Sequence, residues 1–221
     1  MSKEIRLKKG LNINLLGEAE KVYASVKSTD NYVVKPTDFH GLTPKLAVKV
    51  GDRVKAGTTL FFDKYNDKVN FSSPVSGEVA AIVRGAKRKI LEVVIKADAE
   101  IAYEDFAIAT SDSLSREQII DSMLMAGGWP FVRQKPYDII ANPIDMPKSI
   151  FISAFNTAPL TIDNDFALYG MDELFQKGLD YIVKLTSGKT HLNIDGNTNP
   201  SKLFTEAKGV EINKISGAHP A

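Results

Sequence analysis

The 221-residue sequence contains no cysteine. That excludes disulfides, thiolate zinc sites, cysteine-ligated iron–sulfur clusters and a cysteine nucleophile within it. Histidine is scarce: His40, His191 and His219 stand far apart in sequence, without the spacing of a metal site. Asp163, Asp165 and Asp195 lack the glycine and distal glutamate of a calcium loop. No G-x-S-x-G stretch supports a serine hydrolase. Charge of one sign is missing too. Lys and Arg total 28 against 27 Asp and Glu, a net +1, so the basic bias of a nucleic-acid binder is absent. No apolar run approaches the roughly 20 residues of a membrane helix; Ala80–Val83 stops at Arg84, and Val93–Ile95 at Lys96. The opening MSKEIRLKKG is charged at once, and the expectation is that no signal peptide is present. A soluble chain that meets a membrane only through partners is expected.

Apolar residues at 43% are enough for a packed core, and the length fits one large domain or two small ones. Residues 1–100 read as β. LAVKVGDRVKAGTTLFFD alternates apolar and polar residues between glycine turns, the mark of a small sandwich or barrel. Lys68–Phe71 leads into Ser73-Pro74, where proline marks a strand edge or corner. GEVAAIV and KILEVVI pair as a hairpin around the basic turn RGAKRK (Arg84–Lys89). The turn reads as solvated, with Arg84, Lys87 and Arg88 the candidates for docking an acidic partner surface.

The pattern V-x-V-G-D-x-V-x-x-G-x-x-L followed by S-P-V-S-G-x-V resembles the biotinyl/lipoyl barrel-sandwich hybrid fold over roughly residues 45–96. In that family a lysine on a tight hairpin before the Ser-Pro step carries the cofactor. Counting back from Ser73 gives Asn66, flanked by Lys64 and Lys68, and neither has the family's setting. The expectation is the fold without the attached arm.

Residues 101–221 alternate helix and strand. LSREQIIDSMLMAGG has capping-box spacing at Ser115 and Gln118, an apolar stripe, and Gly127 placed as C′. SIFISAF, THLNID and VEINKI read as strands. MDELFQKGLDYIVKLTSG is a helix whose interior Gly178 is expected at a close packing contact. NPSKLFTEA is a short helix with Asn199 as N-cap and Pro200 at N1. The order predicts a Rossmann-like parallel sheet with right-handed crossovers and no G-x-G-x-x-G loop. Ligands in such sheets bind beyond the carboxyl ends of the strands, here AFNTAPL and IDGNTNP. AGGWPFVRQKPYDIIANP concentrates the sole tryptophan, Trp129, with Phe131, Tyr137, Arg133 and Lys135. It reads either as a packed connection or as an aromatic pocket with two fixed cations.

KKGLNI, KPTDFHGLTPKLAVKVGDRVKAG, NFSSPVSGEVAAIVRGAKRKILEVVI, AGGWPFVRQKP, ISAFNTAPL and SGAHPA together resemble the NqrA family, a component of the Na+-translocating NADH:quinone reductases. They occur in the family's order. Family members are longer, so the chain is expected to be an N-terminal fragment. The resemblance implies a peripheral subunit on the cytoplasmic side of the bacterial inner membrane. It would dock on the membrane subunit NqrB and other Nqr subunits, with quinone contact proposed for it. FAD, FMN, riboflavin, iron–sulfur centres, NADH, quinone and Na+ are used by the complex on other subunits, leaving no cofactor to this chain. The related RnfC subunit combines similar modules and is the alternative. So does the flavin subunit of complex I, whose glycine-rich loop binds FMN and NADH. At the matching place Gly127 and Gly128 are followed by Trp129, Pro130 and Phe131. Proline removes a donor and the rings fill phosphate space, so flavin and NADH binding are expected to be lost.

Two readings stay open. In one, Gly127, Gly128, Trp129, Phe131, Arg133 and Lys135, joined by Phe155, Asn156 and Thr157, form a quinone or partner site. A cation there would stabilise the reduced quinone. In the other, the chain is a cofactor-free scaffold. The expected domains are 1–100, a barrel-sandwich hybrid, and 101–221, a Rossmann-like α/β domain.

Overall fold

The computed structural model describes residues 3–17, 19–106 and 113–220. Grouped by contacts, the chain forms two compact units, Ser25–Asp145 and the pair of segments Met1–Ala24 and Met146–Ala221.

Ser25–Asp145 is built on two antiparallel sheets. One orders β2 (Asn31–Val34), β8 (Ile90–Ala97), β7 (Gly77–Arg84) and β4 (Arg53–Val54); the other orders β3 (Pro44–Leu46), β5 (Thr59–Asp63) and β6 (Asn66–Ser72). The alternation expected from the sequence fills the core: Leu60, Phe61, Val79, Val93 and Ile95 are fully buried. Phe71 stacks on Phe61 with ring centroids 4.8 Å apart. The β7–β8 hairpin forms around the RGAKRK turn as the sequence predicts.

The corner S-P-V-S-G between β6 and β7 is held by its own hydroxyls. Ser73 Oγ donates to the Val75 carbonyl at 2.6 Å. Ser76 Oγ donates to Asp98 at 2.9 Å and accepts the Ala102 N–H at 2.9 Å. Gly77 lies against β8 so closely that a Cβ there would fall 2.0 Å from the Lys96 carbonyl oxygen. The β5–β6 turn holds Lys64 and Tyr65, so Asn66 is the first residue of β6 rather than the tip.

Helix α1 (Arg116–Met125) carries the expected capping box between Ser115 and Gln118. It lies against β6 and so belongs with the sandwich. The contact division and the expected boundary at residue 100 therefore differ. Chain order puts α1 with the α/β half, whereas its buried Ile119, Ile120 and Leu124 stand in the sandwich unit.

The other unit is a parallel sheet in the order β1 (Lys3–Arg6), β13 (Glu211–Ser216), β12 (Lys189–Asp195), β11 (Ser149–Ser153). Aligned partners are Ile5 with Ile215, Asn193 with Asn213 and Leu192 with Ile152. Helices α2 (Asn164–Ala167), α3 (Asp172–Ile182) and α4 (Lys202–Thr205) accompany it. Leu192, Ile194 and Phe204 form the buried centre, with Phe175, Leu168 and Leu203 packed on it.

Residues 3–6 form β1 and pair with β13 in the parallel sheet. Two local expectations are corrected. The N-cap of α4 is Ser201, not Asn199, since helical geometry begins only at Lys202. Gly178 makes no close packing contact: a Cβ there would meet nothing within 4 Å.

Candidate functional site

The GGWPF loop follows α1 directly. Gly127 takes φ +73°, and a Cβ there would fall 2.3 Å from Ser72 Oγ at the end of β6. The left-handed turn and this close approach together require glycine. The chain then enters a short 3₁₀ turn, Trp129–Phe131, capped by Gly128. Trp129 is only 3% exposed and donates its indole N–H to the Ala141 carbonyl at 2.7 Å. Phe131 is 76% exposed and, with the exposed Tyr137, is open to a ligand or partner.

Strands β9 (Arg133–Gln134) and β10 (Ile139–Ile140) close this loop as a hairpin. Both of its cations turn to one carboxylate. Lys135 Nζ reaches Asp138 Oδ1 at 2.8 Å, and Arg133 lies 3.6 Å from it while also donating to the Asp138 carbonyl. The hydrogen bond from Lys135, with the charges of both cations, holds the Asp138 carboxyl below the usual range. The loop therefore offers exposed rings and a cluster in which two cations share one carboxylate, leaving a single positive charge.

Phe155, Asn156 and Thr157 lie in the other unit, following β11. Asn156 Oδ1 accepts the Ala158 N–H at 2.8 Å, and Ser153 Oγ donates to the Phe155 carbonyl at 2.9 Å. Thr157 Oγ1 lies 3.1 Å from His219 Nδ1. The candidate residues thus fall into two groups in two units. At the third place, the RGAKRK turn, Lys87 and Arg88 are exposed with φ of 53° and 60°. Arg84 donates to the Arg88 carbonyl at 3.1 Å.

Two features of the α/β unit go beyond the sequence reading. A cavity of about 630 Å³ opens at the carboxyl ends of β1, β12 and β13, lined by Arg6, Leu7, Gly196, Asn197, Ser216 and Gly217. This is where open α/β sheets bind ligands; IDGNTNP points to it, but KEIRL gives no sign of being its other wall. On β11–β13, Phe151 stacks on His191 at 4.8 Å. His191 lies 3.5 Å from Glu211, whose carboxyl Lys189 holds below the usual range. Asn213 donates to Asn193 Oδ1 at 3.0 Å. The alternation of polar residues in KTHLNID is the available signal.

Among the described residues no group of three His, Cys, Asp or Glu side chains is placed to hold a metal ion. No helix among them is long and apolar enough to cross a membrane.

Comparison with known proteins gives two family matches in chain order. Residues 5–98 match the NqrA N-terminal barrel-sandwich hybrid domain, and residues 114–221 match the NqrA second alpha/beta domain. Relatives named as the A subunit of Na(+)-translocating NADH-quinone reductase align along nearly the whole chain. That of Pseudomonas aeruginosa strain PAO1 is 35% identical over 221 residues, covering 98% of this chain and 48% of the relative. That of Psychromonas ingrahamii is 35% identical over 219 residues, and that of Yersinia pestis 34% over 220, with the same coverage. The chain spans about half the length of the curated relatives it matches. With two domain models of one family laid along it in order, the chain belongs to the NqrA family.

Proposed function

We infer that the chain acts as a peripheral subunit of a Na+-translocating NADH:quinone oxidoreductase complex. Its role is to hold the other subunits, chiefly the membrane subunit NqrB, in register on the cytoplasmic side of the membrane. It carries no flavin, iron–sulfur centre or catalytic step of its own. Family membership supports the subunit role. The observation that carries scaffolding over chemistry is the state of the GGWPF loop. Its tryptophan is a packing post tied to Ala141, and its two cations are both held at Asp138. What remains for an outside group includes the exposed Phe131 ring. Such an aromatic anchor suits a partner's apolar side chain.

Quinone contact is the second reading, favoured by the same ring and by the proximity of Arg133 and Lys135 to it in sequence. Phe131→Ala in the assembled complex separates the two. The scaffold reading expects poorer incorporation of the subunit with unchanged turnover per assembled complex. Normal incorporation with lost quinone reduction would replace it with the quinone reading. Normal values of both would count against Phe131 in either role.

A further inference from the structure

Residues 11–16 read L-N-I-N-L-L, with Leu11, Ile13 and Leu15 alternating with Asn12 and Asn14. Strict two-residue alternation is the pattern of a strand with one face buried. The structure gives this segment neither a sheet nor a cover. It lies outside every strand, with a bend at Leu16 and Gly17. Leu11, Ile13 and Leu15 are 77%, 61% and 52% exposed, and Leu16 is fully exposed. Among the described residues, no backbone group of residues 13–16 is hydrogen-bonded to another backbone group. A local pattern that the surrounding fold leaves unused marks a place where something else completes the structure.

The position of the segment says what that is. The Leu11 N–H donates to the His219 carbonyl at 2.8 Å. The His219 N–H donates to Asn12 Oδ1 at 3.0 Å. The polypeptide passing His219 therefore runs beside the start of the unpaired segment. In the relatives the chain is about twice as long, and the parts matched here are the N-terminal and second domains. Their additional length thus follows the position of Ala221.

We propose that Leu11–Leu16 is a strand whose pairing partner is the polypeptide that follows residue 221 in the longer chains of the family. Leu11, Ile13 and Leu15 cover apolar side chains of that stretch, and the free backbone groups of residues 13–16 form the ladder. A tethered partner holds a high effective concentration beside the segment, which favours it over a strand from another molecule. The inference does not rest on the scaffold or the quinone reading.

The test is amide hydrogen exchange at residues 13–16. It is measured in the 221-residue chain and in the same chain continued after Ala221 by the second half of the Pseudomonas aeruginosa relative. The short chain is expected to exchange near the unstructured rate, and the long one at least about 100-fold more slowly. Leu15→Asp is expected to restore fast exchange in the long chain. The intact Pseudomonas aeruginosa relative provides a second measurement that needs no fusion, with slow exchange expected in the segment aligned with residues 13–16. Fast exchange there overturns the proposal. So does slow exchange in the short chain that deepens with concentration, which would identify a second copy. Protection that appears only when other components of the complex are added would assign the strand to a different partner and overturn it too.

Discussion

Trp129 donates its indole N–H to the carbonyl of Ala141 across the β9–β10 hairpin, fastening both ends of the loop to each other. Trp129→Phe removes the donor, leaves that carbonyl short of a partner and opens a gap in a buried site. The expected loss is about 2–4 kcal/mol. It would be read as a lower urea midpoint with an unchanged slope. A change under about 0.5 kcal/mol would show that the loop does not depend on this bond.

Gly127 and Gly178 should respond to alanine in opposite directions. At Gly127 the left-handed φ and the contact with Ser72 make a Cβ strained and crowded, and a loss of about 2 kcal/mol or more is expected. At Gly178, in the interior of α3, a Cβ meets open space, and Ala should stabilise by about 0.5–1 kcal/mol. Thermal unfolding of the two variants decides both.

Thr190 Oγ1 on β12 is buried and, among the described residues, has no hydrogen-bond partner. Thr190→Val keeps the shape and removes the unsatisfied hydroxyl. A gain of about 1–2 kcal/mol is expected from the desolvation relieved. Destabilisation in the same unfolding measurement would reveal a water bound to that hydroxyl.

The acid side of the stability profile follows from the ion pairs. Arg53 donates to both oxygens of Asp98 at 2.7 and 2.8 Å, and Ser76 adds a third bond. The Asp98 carboxyl is held below its ordinary value by these bonds, the Arg53 bond foremost. Asp163 is held down by Lys21 and the Phe166 N–H. A depressed folded value means that the contribution is complete above the unfolded value, about 3.9 for Asp. It is lost as pH falls through the folded value. Stability should therefore decline below about pH 4 and be flat in these groups above it. Arg53→Met should move the Asp98 titration, followed by carboxyl carbon NMR, upward towards the ordinary range. An unmoved Asp98 would mean that Ser76 alone sets its state.

Much of the fold was legible because it rests on local patterns. The β7–β8 hairpin, the Ser115–Gln118 capping box and the strands around Phe151, Leu192 and Ile212 each carry their signal within a few residues. Two other features depend on partners remote in sequence. KEIR has one apolar residue, and only pairing with β13 makes it a strand. Helix α1 reads correctly as a helix, but nothing in its residues says that it lies against β6. Asn199 and Ser201 are both competent caps separated by Pro200, and local composition does not separate them. At the candidate site the residue types of the GGWPF loop are evident. That Trp129 faces inward and Asp138 gathers both cations depends on the hairpin that folds the loop back on itself.

The pairing of β1 with β13 sets an order of events during synthesis. β1 leaves the ribosome before β13, its neighbour in the sheet, which is made some two hundred residues later. At roughly 5–20 residues per second, about 10–40 s separate the two. The sandwich unit, encoded wholly between them, can complete its own core in that interval. The opening residues must stay unaggregated meanwhile, and the three charges of KEIR suit a strand that has to wait in water for its neighbour.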